Sequence, residues 1–318
     1  MKDALSNKFY ILQPIKNKQS TAFTQYYKKH FKKKYYNGLY YKFPVRVQAI
    51  TQYHMDGTVI QLPFTAEELE ELEKEYIDKF MKKLWERFDI GSCYIEKDLR
   101  GVLKDYYEDK SWFFQYMLFK PCLLKIIEHY NIDLKETKVV IVDSNNKKIE
   151  FVLQYLVPEL NYLTIVTDRE EYFQDAIEII YHTTGLLVEL CQYPVQEPLS
   201  STLVIFLDSG QYKLYSMFPE NSFVMDLAFH PIKRDYLANR RKDLVIAYDL
   251  EIEFQGEQAD KELVMEILTK DCWKINRFIN KENSSITPGE MEELFKHYKI
   301  RVKTLKVLQK DKSVYIDN

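Results

Sequence analysis

The sequence predicts an α/β protein. It has a doubly wound, mainly parallel sheet, preceded by a hairpin-plus-helices lobe and followed by a short helical tail. Three observations predict this. Six short apolar runs lie between residues 138 and 249, KVVIVD, YLTIVTD, LLVEL, TLVIFLD, FVMDL and LVIAYD, with starts about 15–25 residues apart. Runs apolar throughout belong to strands buried on both faces, the habit of parallel sheets. Two of the connections, 145–159 and 169–185, carry a helical period, so strand and helix alternate.

The elements follow in chain order. Residues 1–50 hold eleven Lys or Arg and one acid, Asp3. The stretch QYYKKHFKKKYYNGLYYKF (25–43) interleaves bases with aromatics. Stacking plus phosphate neutralisation is how single-stranded nucleic acid is held, so Lys28, Lys29, Lys32, Lys33 and Lys34 are a candidate nucleic-acid contact. The plainer reading is an amphipathic segment whose lysines snorkel. In VRVQAITQYHMDGTVIQLPF (45–64), Asp56-Gly57 marks a hairpin turn. Thr65 then opens a helix through a capping box with Glu68. Leu69, Leu72, Tyr76, Phe80, Leu84 and Phe88 form its buried stripe, and Gly91 ends it. Further helices fill 94–132, interrupted at Pro121.

The division expected is 1–135, a mixed α+β lobe; 136–255, the doubly wound domain; and 256–318, a helical segment. In the last, helices are expected at 258–273 and from Thr287. The connections 191–201 and 208–222 show no strong helical period.

Ligands of such sheets sit beyond the carboxyl ends of the strands, near the switch point. Asp143, Asp168 and Asp208 occupy such ends, and Asp226 lies close to one. Asp168 comes 25 residues after Asp143, where an acid hydrogen-bonds ribose hydroxyls. The alternative is a solvated carboxylate, or the N-cap of the helix that follows. Arg169 beside it is placed either to face a 2′-phosphate or to stand in solvent. The first turn, Asp143-Ser144-Asn145-Asn146, has no glycine. Asn tolerates the left-handed conformation, and Ser144 or Asn145 can cap the next helix. Asp143, however, directs a charge at the phosphate position, a repulsion of roughly 3 kcal/mol at ~5 Å and an effective dielectric of about 20. Asp143, Ser144, Asn145, Asp168 and Arg169 are thus the candidate ligand-binding residues, for a nucleotide-like small molecule.

Over 138–248, LNYLTIVTDREEYFQDAIEIIYHTTGLLVEL and NSFVMDLAFHPIKRDY resemble the Rossmann-type NAD(P) domains of shikimate dehydrogenase and glutamyl-tRNA reductase. The resemblance implies a Rossmann-like fold and NAD or NADP as candidate cofactors. The glycine-rich phosphate loop of those domains is missing here. The nearest candidate for the reductase's catalytic cysteine, Cys93 in Gly91-Ser92-Cys93-Tyr94, reads as a small buried side chain and not as a nucleophile. Three roles stay open: a divergent Rossmann-like ligand binder or interaction scaffold without robust redox catalysis, an NAD(P)-dependent oxidoreductase with an atypical phosphate turn, and a nucleic-acid-associated protein.

Other chemistry finds little support. Cys93, Cys122, Cys191 and Cys272 stand at least 29 residues apart, against a zinc ribbon or a disulfide framework. The histidines have no metal-ligand spacing, and His230-Pro231 is expected to be structural. Net charge is −3, which offers no global attraction to polyanions. No run approaches the ~20 apolar residues of a membrane span, and the N-terminus has no leader-like run. The expectation is a cytoplasmic chain.

Overall fold

The computed structural model describes residues 9–15, 45–144, 148–193, 195, 198–207, 210–280, 286–310 and 312–317. The segment 25–43 therefore lies outside the described residues, as do Asn145 and Asp208. The chain divides into two compact units. One is Met1–Lys110 with Glu262–Arg277, and the other is Ser111–Lys261 with Phe278–Asn318. This differs from three consecutive segments. Helices at 112–130 join the sheet that follows them, and 256–318 is shared between the units.

The first unit contains β1 (Phe9–Gln13), β2 (Arg46–Gln52) and β3 (Met55–Gln61). β2 and β3 form the expected antiparallel hairpin, but its turn is Tyr53-His54. Both residues have positive φ, 53° and 63°, as a two-residue hairpin turn with the twist of the strands requires. Gly57 sits inside β3, opposite Phe9. A Cβ there would lie 2.3 Å from the Phe9 ring, so the glycine makes room for an aromatic and not for a turn.

Thr65 caps as expected, with both halves of the capping box formed. The helix it starts is short, α1 (Ala66–Glu70), and a second start gives α2 (Lys74–Phe88). α2 ends at Asp89, whose left-handed conformation stops the helix before Gly91. The apolar stripe crosses the break: Leu69, Phe80 and Leu84 are buried, and Leu72, Tyr76 and Phe88 pack against the same core. β4 (Tyr94–Ile95) and α3 (Lys97–Arg100) follow. The strand order is β2-β3-β1-β4, with β1 parallel to both neighbours. Cys93 packs against this core. Burial and the nearby Glu266 hold its thiol far above the ordinary value, which agrees with an inert side chain.

The second unit begins with α4 (Trp112–Met117) and α5 (Phe119–Tyr130). β5 (Val139–Val142), α6 (Lys148–Leu156), β6 (Leu163–Thr167), α7 (Glu170–Thr184) and β7 (Val188–Gln192) then alternate. Gly185 closes α7 at φ 75°, the conformation glycine adopts freely. β8 (Leu203–Phe206), β9 (Phe223–Asp226), α8 (Pro231–Arg240), β10 (Val245–Phe254) and β11 (Glu257–Ala259) complete the run. The chain then passes through α9 (Lys261–Asp271) and α10 (Trp273–Asn280), whose residues 262–277 belong to the first unit, and returns to the second with α11 (Pro288–Tyr298), capped by Thr287 and Glu290.

The tail is not purely helical. It ends in β12 (Arg301–Gln309) and β13 (Lys312–Asp317), which extend the sheet antiparallel beside β10. β12 buries Val302, Thr304, Leu305, Val307 and Leu308, and β13 buries Ile316 alone, so no clean two-residue alternation marks either strand in the sequence.

The large sheet runs β13-β12-β10-β9-β8-β5-β6-β7, with β11 beside β10. From β7 to β10 every pairing is parallel. By order within the domain this is 3-2-1-4-5-6, the doubly wound Rossmann arrangement, whose switch point lies between β5 and β8. β5, β8 and β9 are buried at every residue. Val140, Val142, Val204, Phe206 and Val224 line one face against Leu214, Tyr215 and Leu237. The crossover 193–202 that joins β7 to β8 has no helix among its described residues.

Candidate functional site

The carboxyl ends of β5 and β6 are held in parallel register up to Val142 and Val166, and the Asp143 amide extends the ladder to the Val166 carbonyl at 2.9 Å. This register sets the residues just past each strand side by side. The Asp143 side chain is 0% exposed. Its oxygens receive a fork from Arg169, Nε at 2.7 Å and Nη2 at 3.0 Å, and the Thr167 hydroxyl at 2.8 Å. Thr167 in turn accepts from the Arg169 amide at 3.1 Å. The guanidinium lies 4.0 Å from the centroid of the Tyr172 ring, and the Tyr172 hydroxyl donates to Glu150 of α6. Burial works against the Arg169 charge, but Asp143 outweighs it and the pKa is raised.

This geometry revises two expectations. Asp143 does not direct an open charge toward a phosphate, because Arg169 neutralises it and the pair is satisfied internally. Arg169 is neither free in solvent nor open toward a 2′-phosphate, because two of its donor groups are committed to Asp143. Asp168 is exposed and makes no hydrogen bond among the described residues. It does not cap α7; that position is Arg169, without a side-chain cap. Ser144 is half-buried, and its Oγ is a buried hydroxyl with no hydrogen-bond partner among the described residues. The structure therefore gathers Asp143, Ser144, Asp168 and Arg169 at one end of the sheet, beside the switch point. Among the described residues of this group, Asp168 and Ser144 carry uncommitted polar atoms. A carboxylate such as Asp168 accepts two vicinal hydroxyls well, and an orphan hydroxyl can donate to or accept from a bound group.

A second polar cluster at the same end of the sheet was missed by sequence reasoning. Asp226, the last residue of β9, accepts from Lys233 Nζ at 3.0 Å on each oxygen, from the Tyr215 hydroxyl, and from the Ala228 amide at 2.9 Å. Lys233 and Asp226 side chains are both 0% exposed. The ammonium sits 4.3 Å from the Phe206 ring centroid, and Tyr215 stacks on the same ring. Burial raises the Asp226 pKa, with Lys233 and Tyr215 opposing it, and burial with Asp226 raises that of Tyr215 well above its ordinary value. The available signal was His230-Pro231. His230 caps α8, its Nδ1 accepting from the Ile232 amide at 3.3 Å, and this places Lys233 in the first turn, in reach of the β9 tip.

Among the described residues, no group of three or more His, Cys, Asp or Glu is arranged to hold a metal ion, and all four cysteines are free thiols. No helix among them is long and apolar enough to cross a membrane.

No family model matches the chain, and no curated protein does. Solved structures do. L-tryptophan dehydrogenase from Nostoc punctiforme aligns over 92% of this chain and 81% of its own, at 10% identity and a TM-score of 0.35. Shikimate dehydrogenase 1 from Peptoclostridium difficile aligns over 92% and 98%, at 11% identity and 0.29. Shikimate 5-dehydrogenase from Listeria monocytogenes, in complex with shikimate and NAD, aligns over 92% and 97%, at 9% identity and 0.30. The fold assignment rests on strand order and direction within the chain itself: its second unit is a divergent Rossmann-like domain.

Proposed function

We propose that this protein binds a nucleotide-like small molecule at the β5–β8 switch point. Asp168 accepts the hydroxyls of a ribose, and Ser144 contributes the second polar contact. The observation that carries this reading is the 3-2-1-4-5-6 order, with an uncommitted carboxylate at the tip of β6 and an orphan hydroxyl past β5. Such crevices are where open α/β sheets hold ligands. The Asp143–Arg169 fork acts as a brace that fixes the two strand tips and leaves the crevice without net charge from this pair.

That neutrality supports a second reading, an NAD(P)-dependent oxidoreductase with an atypical phosphate turn, because the repulsion expected from an open Asp143 is absent. Thermal-shift measurement against NAD, NADP, ATP and S-adenosylmethionine separates the readings. A ligand at 100 times its dissociation constant adds about 2.7 kcal/mol, a shift readily seen. Binding of at least one, lost on Asp168→Ala, is the expected result. A response confined to NAD or NADP moves the assignment to the oxidoreductase. No response to any of the four contradicts the ligand reading.

A further inference from the structure

The strand order of the large sheet ends, among the described residues, in β13 on one side and β7 on the other, and of these two edge strands β7 is the one without a lysine. Among the described residues β7 pairs only with β6, in unbroken register from Leu163↔Val188 to Thr167↔Gln192. None of its five residues is buried. α7 carries Ile177, Ile179, Ile180 and Tyr181 yet buries only Phe173, where a surface helix ordinarily buries a whole stripe. Leu187 is 75% exposed and Ile179 62%. Between helix and strand runs a groove of about 490 Å³, lined by Ile177, Tyr181, Leu186, Leu187, Val188 and Leu190 among others.

Sheet edges that stay unpaired are protected by lysine, proline, bulges or a covering segment. LLVELCQY (186–193) has no lysine and no proline, and its pairing has no bulge.

We propose that β7 pairs antiparallel with β7 of a second copy of this chain, about a two-fold axis through Leu190, joining the two sheets. The charge pattern argues for a second copy in this register. The strand has one ionic residue, Glu189. Pairing centred on Leu190 sets Glu189 across from the neutral Cys191 and Val188 across from Gln192. Pairing centred one residue earlier would set Glu189 against itself, and like charges directly opposite destabilise a sheet. The two-fold also puts both copies of α7 on the same face of the joined sheet and sets the exposed Leu187 of each copy across from Tyr193 of the other. Such an interface is self-complementary, as two-fold association requires.

Sedimentation velocity on the full chain, over a wide concentration range extending well above micromolar, is the first test. A dimer is expected. Leu187→Lys combined with Tyr181→Glu, both exposed positions, is expected to weaken it roughly tenfold or more with the far-UV circular dichroism unchanged. The register has its own test. In a Cys191→Ser background, Leu190→Cys is expected to lock the dimer through a disulfide on mild oxidation, since directly opposed positions fall within disulfide reach. Gln192→Cys, which faces Val188, is expected not to. A monomer at every concentration overturns the proposal, including in favour of a foreign strand on this edge. So does a dimer indifferent to the paired substitution, or cross-linking by Gln192→Cys in place of Leu190→Cys.

Discussion

Removing Arg169 would strand a carboxylate that has no contact with solvent. Asp143 would keep the Thr167 hydroxyl at 2.8 Å and lose both arms of the fork, and breaking a buried pair from one side costs about 3–5 kcal/mol. Arg169→Ala is therefore expected to lower the unfolding free energy by about 3–5 kcal/mol, read as a fall in the urea midpoint at unchanged slope. The double variant Asp143→Leu, Arg169→Met should recover much of the loss, because an apolar pair of similar volume removes the stranded charge. A loss below about 1 kcal/mol in the single variant would show that the pair contributes no more than a surface ion pair. This pairing was invisible as a contact in the sequence, where the partners stand 26 residues apart. It follows from parallel register: once Val142 and Val166 are opposite, Arg169 is three residues past one tip and Asp143 one past the other. Asp168, by contrast, was legible, because its distance from the first strand end and its position closing the second strand depend on local pattern alone.

Elements were legible where one local signal decides them, and less so where a distant side chain does. The apolar runs became β5 to β10, the capping box at Thr65 formed, and a helix opens at Thr287 as expected. The hairpin was found, but its turn was placed at Asp56-Gly57 because Asp-Gly is the stronger local signal. The deciding fact, the Phe9 ring against Gly57, comes from a strand nearly fifty residues upstream. Gly57→Ala is expected to destabilise by about 1–3 kcal/mol, the usual cost of overpacking, since Phe9 is itself buried. A neutral effect by chemical denaturation would return Gly57 to a turn role.

The terminal hairpin adds a pH-dependent contact. A register shift between Ala247 and Asp249 accompanies the placement of Asp249, which accepts from Lys261 and from Lys306 at 3.2 Å. Burial raises the Asp249 pKa, but Lys261 and Lys306 outweigh it and the net shift is downward. A depressed folded-state value means the stabilisation is present above the ordinary aspartate value of 3.8 and is lost as pH falls through the lower folded value. The stability gap between the wild type and Asp249→Asn, on the order of 1 kcal/mol, should therefore be full near neutral pH and close in strong acid. A gap that widened on acidification would contradict the assignment.

At the scale of the molecule, the first unit is a small mixed sheet with its own apolar core. The second is a doubly wound sheet extended by the terminal hairpin. The six-strand parallel order brings the tips of β5, β6, β8 and β9 together. At those tips the chain uses two buried ion pairs, Asp143 with Arg169 and Asp226 with Lys233, to fix loops that would otherwise be held only by backbone. Buried pairs of this kind are costly to assemble unless each charge is fully partnered, and Asp143 and Asp226 are. What they leave open is Asp168 and the Ser144 hydroxyl. The identity of the proposed ligand was not legible in the sequence, because it depends on the shape of a crevice assembled from several strands and not on any one motif.

The most direct test is photolabelling of the full chain with 8-azido-adenosine triphosphate, followed by peptide mapping. The expected result is label on the peptide spanning the β6 tip and the start of α7, Thr164 to Phe173, competed by unlabelled ATP and lost in Asp168→Ala. Label confined to peptides away from the β5 and β6 tips, or label that persists undiminished in Asp168→Ala, would contradict a nucleotide-like site at the switch point.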